Sequence, residues 1–311
     1  MGKSHNAYVY GLLTVLCWST VATAFKFSLA HIDIYQLLFF ATLTSAVVLS
    51  APIIWRKEVG GLWSTLCKYW RISLSMAVLN PCIYYIVLFG AYDRLPAQIA
   101  QPVNYTWAIV LTLFSALILK QKPLLTDYLA ALICYGGVVI IVTGGHFEGL
   151  VNVSSLGLLL AIVSTVIWAG YWIMNIRDSR DQRYAMCLNF LVALPITAVL
   201  CGVFSSFEPG WVGLAGSLWV GVFEMGLAFL LWSKALRLAE NSSRVSNLIF
   251  IAPFLSLVFI HFILGEAIVK STYIGLTVIV SGLLFQQLGA NMRLAKRLHD
   301  RASRITDGES E

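Results

Sequence analysis

The sequence predicts an all-α integral membrane protein in which ten transmembrane helices form two five-helix inverted-topology repeats. Composition is the first ground. The 311 residues are 59% hydrophobic and only 12% charged, against about 25% charged in soluble domains. Second, ten apolar windows reach the ~20 residues needed to cross ~30 Å of hydrocarbon; they fall near 8–27, 34–55, 72–92, 96–119, 127–145, 155–176, 184–204, 211–233, 245–264 and 271–290. Runs such as LLTVL and LLLAIV do not alternate polar with apolar positions, as a β-barrel would. Third, the stretch Leu95–Lys122 returns at a constant offset as Glu240–Glu266, with Gln101 meeting Ser246 and Tyr105 meeting Phe250. Five helices per half is an odd number, so a duplicated second half enters the membrane from the other side.

The first window follows Lys3 and runs through Trp18, Ser19 and Thr20 to Lys26 without a small-residue cleavage site, which predicts a retained helix. Lys26 is placed to snorkel to the outer headgroups. In the third helix Tyr84 follows Asn80 by four residues and shares its face, while Pro81 loosens the backbone ladder between them. In the fourth, Gln98, Gln101 and Tyr105 are expected on one face, Pro102 opens the backbone, and Asn104 and Trp107 point to the side. The fifth and tenth helices carry Gly137 and Gly144, then Gly282 and Gly289; each pair shares a face and predicts close helix packing or assembly.

The loop 145–155 divides the halves, giving expected units of 1–147 and 148–292 and a charged cytoplasmic tail, 293–311, that begins helical and ends disordered. In the sixth helix Trp168 corresponds to Trp18. The eighth contains Glu224, the one carboxylate deep in any window; Asn80 lies one position from its repeat equivalent. Burying that charge uncompensated costs several kcal/mol, so Glu224 either faces a water-accessible cavity, meeting a substrate ammonium or a proton, or is protonated and bonded to a neighbouring helix. The ninth brings Ser243, Ser246, Asn247 and Phe250 to one face. A lone Asn, Gln or Ser is explained by an interhelical hydrogen bond of ~0.6 kcal/mol; four faces of the same composition favour a cavity.

All Lys and Arg except Lys26, Arg94 and Lys270 fall in loops on one side or in the tail. The positive-inside rule therefore places both termini in the cytoplasm. The basic residues are spread over short loops, unlike a nucleic-acid-binding patch. Trp55, Trp70 and Trp211 are expected to anchor at the interfaces, and His261 to pack near an outer helix end. The six cysteines are scattered without metal-ligand spacing and read as packing residues. No phosphate loop, HExxH pair, diphosphate-metal Asp cluster or nucleophile elbow is present, so no enzyme, cofactor or metal is expected.

Trp18-Ser19, Trp168-Ala169, the run SNLIFIAPFLSLVF and the helix-closing Leu264-Gly265-Glu266 resemble the EamA-type ten-helix members of the drug/metabolite transporter superfamily, over nearly the whole chain. The first half departs from that pattern with Ala108 in place of proline and Gln121 in place of glutamate. Within the family, QPVNYTW is most similar to the YddG-type aromatic amino acid exporters of bacterial inner membranes. The resemblance implies export of aromatic and other apolar amino acids by a monomer or homodimer in the bilayer. On that reading Tyr84, Tyr105, Trp107 and Trp168 are expected to meet the substrate side chain, and Asn80, Gln101, Asn247 and Glu224 to hold its ammonium and carboxylate, with Trp18 and Phe250 as further substrate-binding candidates. A drug or nucleoside exporter is the rival on this scaffold; a membrane assembly protein or lipid-modifying enzyme is the rival from another class.

Overall fold

Apolar runs of membrane length can satisfy their backbone only within helices, and the computed structural model, which describes residues 3–118, 120, 125–145, 153–238 and 247–308, has this character. Nine of its helical stretches are long and apolar enough to span a membrane, with Ala252–Leu264 a shorter tenth, among the described residues. The first half contains α1 (Lys3–Ser19) and α2 (Val21–Leu29), α3 (Ile34–Trp55), α4 (Val59–Ala77) and α5 (Tyr84–Arg94), α6 (Ala97–Tyr105) and α7 (Trp107–Ile118), and α8 (Leu125–Thr143). The second contains α9 (Ser155–Arg177), α10 (Gln182–Phe204), α11 (Gly210–Trp219) and α12 (Leu227–Leu238), α13 (Ala252–Leu264) after a tight turn at Asn247–Ile251, and α14 (Lys270–Gly308). The last helix runs unbroken to Gly308, since the stretch from Arg293 is rich in Arg, Ala and Leu and has no proline.

Across the repeats α8 packs along α14, and α3 along α10. Glycine explains the first pair. A Cβ on Gly137 would lie 2.6 Å from the Gly275 carbonyl oxygen, and one on Gly275 would lie 2.5 Å from that of Gly137. The two backbones touch, so the glycines serve packing within one chain. Gly144 departs from expectation: it ends α8 at φ +66° with open space about it.

Helix ends are tied at both faces of the bundle. At the face away from the basic loops, Asp33 caps α3 by accepting Tyr35 N–H at 2.7 Å and Gln36 N–H at 3.0 Å, a capping box, and Ser205 donates to the same carboxylate. Trp55 and Trp211 are 89% and 87% exposed, which suits interfacial anchors. Lys26 does not snorkel. Its Nζ donates to the Tyr92 carbonyl at 2.8 Å, because neighbouring Phe25 packs on Phe89 and Tyr92, at 4.9 and 5.2 Å between ring centroids, and draws α2 onto α5.

Candidate functional site

Four spans break near their middle, and the breaks surround one region. The first gives way at Thr20 and the fourth at Thr106, where each threonine tightens the last turn by donating both its N–H and its hydroxyl to the carbonyl three residues back, the hydroxyls reaching Cys17 at 2.8 Å and Val103 at 2.7 Å. The third and eighth break in wide turns, Val78–Ile83 and Val220–Glu224. Asn80 is extended there (φ −145°, ψ 116°) before a cis Pro81. In the second half Met225 N–H reaches back five residues to the Val220 carbonyl at 3.2 Å. Asn80 and Glu224, matched in the sequence, thus occupy matched interruptions of the helical ladder. Such bulges free polar groups only where protein or a wet cavity can meet them.

Trp168, from α9, is the hub of an aromatic cluster built by both halves. Tyr84 stacks on it at 4.4 Å and 24°, and Tyr171 stacks at 5.4 Å. Trp107 and Trp172 meet it edge-on at 6.5 and 5.9 Å, and Phe229 lies 6.3 Å away. Trp18 extends the cluster through Phe229 and Trp232. Trp107 was expected to point aside; the break at Thr106 changes the helical phase and turns it inward. Trp18, Trp107 and Trp172 remain half-buried.

The polar groups line the same region. Tyr85, fully buried, donates its hydroxyl to Glu224 Oε1 at 3.2 Å. Glu224 is itself half-buried and joins no ion pair among the described residues. Asn104 donates to Ser164 Oγ at 2.9 Å, linking the fourth and sixth spans. Asn80 Oδ1 and Gln101 Oε1 are buried acceptors without a donor among the described residues. Leaving such groups unmet costs ~1–3 kcal/mol each, so water or solute is the natural partner. Tyr105 is half-buried at the end of α6. Gln98 departs from the expected face: it receives Val269 N–H and Thr272 Oγ1 on its Oε1 and donates to the Ala267 carbonyl, which makes it a tie between halves. The side chains of Asn247 and Phe250 lie outside the described residues.

Tyr85, Trp172, Phe229 and Trp232 were not foreseen. Trp172 was detectable, since it follows Trp168 by four residues and shares its helix face; Phe229 was not, because the bulge before it shifts the register. Together the groups offer flat π faces, a single carboxylate and neutral amides. Chemically, such a set can hold a planar organic solute by stacking and hydrogen bonding.

The EamA-like transporter family matches residues 5–143 and 155–286. An uncharacterized transporter of Archaeoglobus fulgidus is 24% identical over 279 residues, covering 87% of this chain and 93% of the relative. The aromatic amino acid exporter YddG of Ancylobacter novellus is 26% identical over 239 residues, or 75% and 80% of the two chains. The uncharacterized transporter YvbV of Bacillus subtilis is 26% identical over 223 residues, or 70% and 72%. A crystal structure at 22% identity has the same fold, with a TM-score of 0.64 over 95% of this chain and 99% of the other.

Proposed function

The chain belongs to the EamA-like transporter family, and from that premise we propose that it exports aromatic and other apolar amino acids from the cytoplasm across a bacterial inner membrane. Alternating access would carry the solute through the cavity between the two halves, with both termini cytoplasmic. The observation that carries this reading is the stack of Tyr84 on Trp168, a joint of aromatic faces contributed by both repeats. In this reading Tyr84, Tyr105, Trp107 and Trp168 meet the substrate ring, with Trp18 and Phe250 beside them. Asn80, Gln101, Asn247 and Glu224 receive its ammonium and carboxylate.

One feature favours a second reading. Glu224 has no cationic partner among the described residues, which suits a planar organic cation better than a zwitterion. Counterflow of radiolabelled phenylalanine and tryptophan in proteoliposomes, with and without a pH gradient, tests both. Uptake displaced by unlabelled phenylalanine supports the amino acid reading. Lack of amino acid uptake, with uptake of an aromatic cation that Glu224→Gln abolishes, replaces it with the second.

A further inference from the structure

A cavity of about 680 Å³ opens at the basic end of the bundle, where α3, α10 and α12 approach one another. Its lining shares no residue with the aromatic cluster, and its walls change character with depth on each helix. Leu49, Pro52 and Ile53 on α3 and Arg56 at its C-cap follow the spacing of one helical face; Leu49 and Ile53 are buried, while Arg56 is exposed. On α12, Leu230 lies one turn inward of Lys234. On α10, Met186 lies one turn inward of Gln182. The apolar residues thus point toward the bilayer interior, and the polar ones form a rim at the helix ends.

The rim is cationic beyond its own ion pairs. Arg183 binds Glu58 at 2.9 Å and Asp181 at 3.0 Å, so one guanidinium occupies both carboxylates. Hydrogen bonding to Arg183 holds the Asp181 carboxyl below its ordinary value. Arg56 and Lys234 join no ion pair among the described residues, and Lys234 rests over the Tyr10 ring at 4.3 Å. Among the described lining residues three cations face two carboxylates, leaving one positive charge for a ligand to balance. The volume lies within the ~300–1,000 Å³ range of organic ligand sites, too large for a lone counter-ion.

We propose that this cavity binds an anionic phospholipid, with the phosphate between Arg56 and Lys234 and an acyl chain against Leu49, Ile53, Met186 and Leu230. Cationic pockets between helix ends hold acidic headgroups by charge, and the adjoining apolar wall excludes water from the chain. The bound lipid would join α3 and α10 to α12.

Full-length protein, purified in detergent and stripped of lipid, is titrated with phosphatidylglycerol and phosphatidylcholine. Binding is read by native mass spectrometry and by thermal shift. Phosphatidylglycerol is expected to remain bound and raise the melting temperature, and phosphatidylcholine to do neither. Arg56→Gln with Lys234→Gln lowers phosphatidylglycerol affinity at least tenfold, while Arg56→Lys with Lys234→Arg and the exposed control Lys57→Gln preserve it. Equal binding of both lipids, or no effect of the Gln pair, overturns the proposal. Displacement of the lipid by inorganic phosphate alone assigns a free-anion site instead, and displacement by phenylalanine makes the cavity a substrate vestibule; either result also overturns it.

Discussion

Glu266, in the turn that joins the ninth and tenth spans, accepts the backbone N–H of Ala97 at 3.0 Å. One carboxylate from the second half therefore caps the first turn of α6 in the first half, and its other oxygen reaches Gln98 N–H at 3.4 Å. A negative charge at a helix N-terminus is favoured by the exposed N–H groups and the helix dipole. Gln98 adds three bonds to the same turn and its neighbours. Together with Lys26 on the Tyr92 carbonyl, these ties close the bundle at the face away from the basic loops.

Removing that cap should loosen this end selectively. Loss of a capping side chain costs ~0.5–2 kcal/mol, and 1–2 kcal/mol is a factor of about 5–30. Amide hydrogen exchange in the first turn of α6 should accelerate by roughly that factor in Glu266→Ala, with exchange in α9 unchanged. Uniform acceleration across the chain would mean that the cap supports the whole fold.

Trp168→Leu keeps apolar bulk in the hub and removes the ring that Tyr84 stacks on. Aromatic pairing contributes ~0.5–1.5 kcal/mol beyond area burial, so the KM for phenylalanine in counterflow should rise about two- to tenfold. Trp168→Phe should fall between Leu and the native residue. Identical KM values in all three would remove the hub from substrate contact.

Tyr85→Phe deletes the hydroxyl that reaches Glu224. That bond, at 3.2 Å, holds the Glu224 side chain in place, and its loss frees the carboxyl group to reorient. Transport should drop at least tenfold in Tyr85→Phe and in Glu224→Gln, and the double variant should be no worse than the poorer single one. Additive losses would show that the two residues act separately.

Gly137→Val places a side chain against the Gly275 carbonyl, whereas a Cβ on Gly136 meets nothing within 4 Å. Overpacking of a tight contact costs ~1–3 kcal/mol. A melting temperature lowered by Gly137→Val and nearly unchanged by Gly136→Ala is the expected pair of results.

The Arg183 cluster carries a pH signature. Because the Asp181 carboxyl is held below its ordinary value, its stabilising contribution is present above the unfolded carboxylate value of ~3.9 and disappears as pH falls through the lower folded value. The melting difference between native protein and Arg183→Gln should therefore be level from about pH 5 to 8 and shrink below about pH 4. A difference that grows on acidification would contradict the pairing.

Membrane insertion, the number of spans, their duplication and the polar character of the third, fourth and eighth helices were legible in the residue order, because hydropathy, charge bias and repeat spacing are properties of the chain itself. The depth match of Asn80 and Glu224 was legible for the same reason. Tertiary structure alone decided where the helices break, and so which faces turn inward. A regular 3.6-residue period puts Trp107 to the side and Gln98 beside Gln101, yet the break at Thr106 and the cap from Glu266 bring Trp107 against Trp168 and send Gln98 to the ninth-to-tenth turn. Lys26 turned to Tyr92 rather than to the headgroups for a similar reason, since its path depends on Phe25 packing against another span. Helical phase is local and can be counted along the sequence; a bulge resets that count, and what compensates the bulge is contact with distant residues.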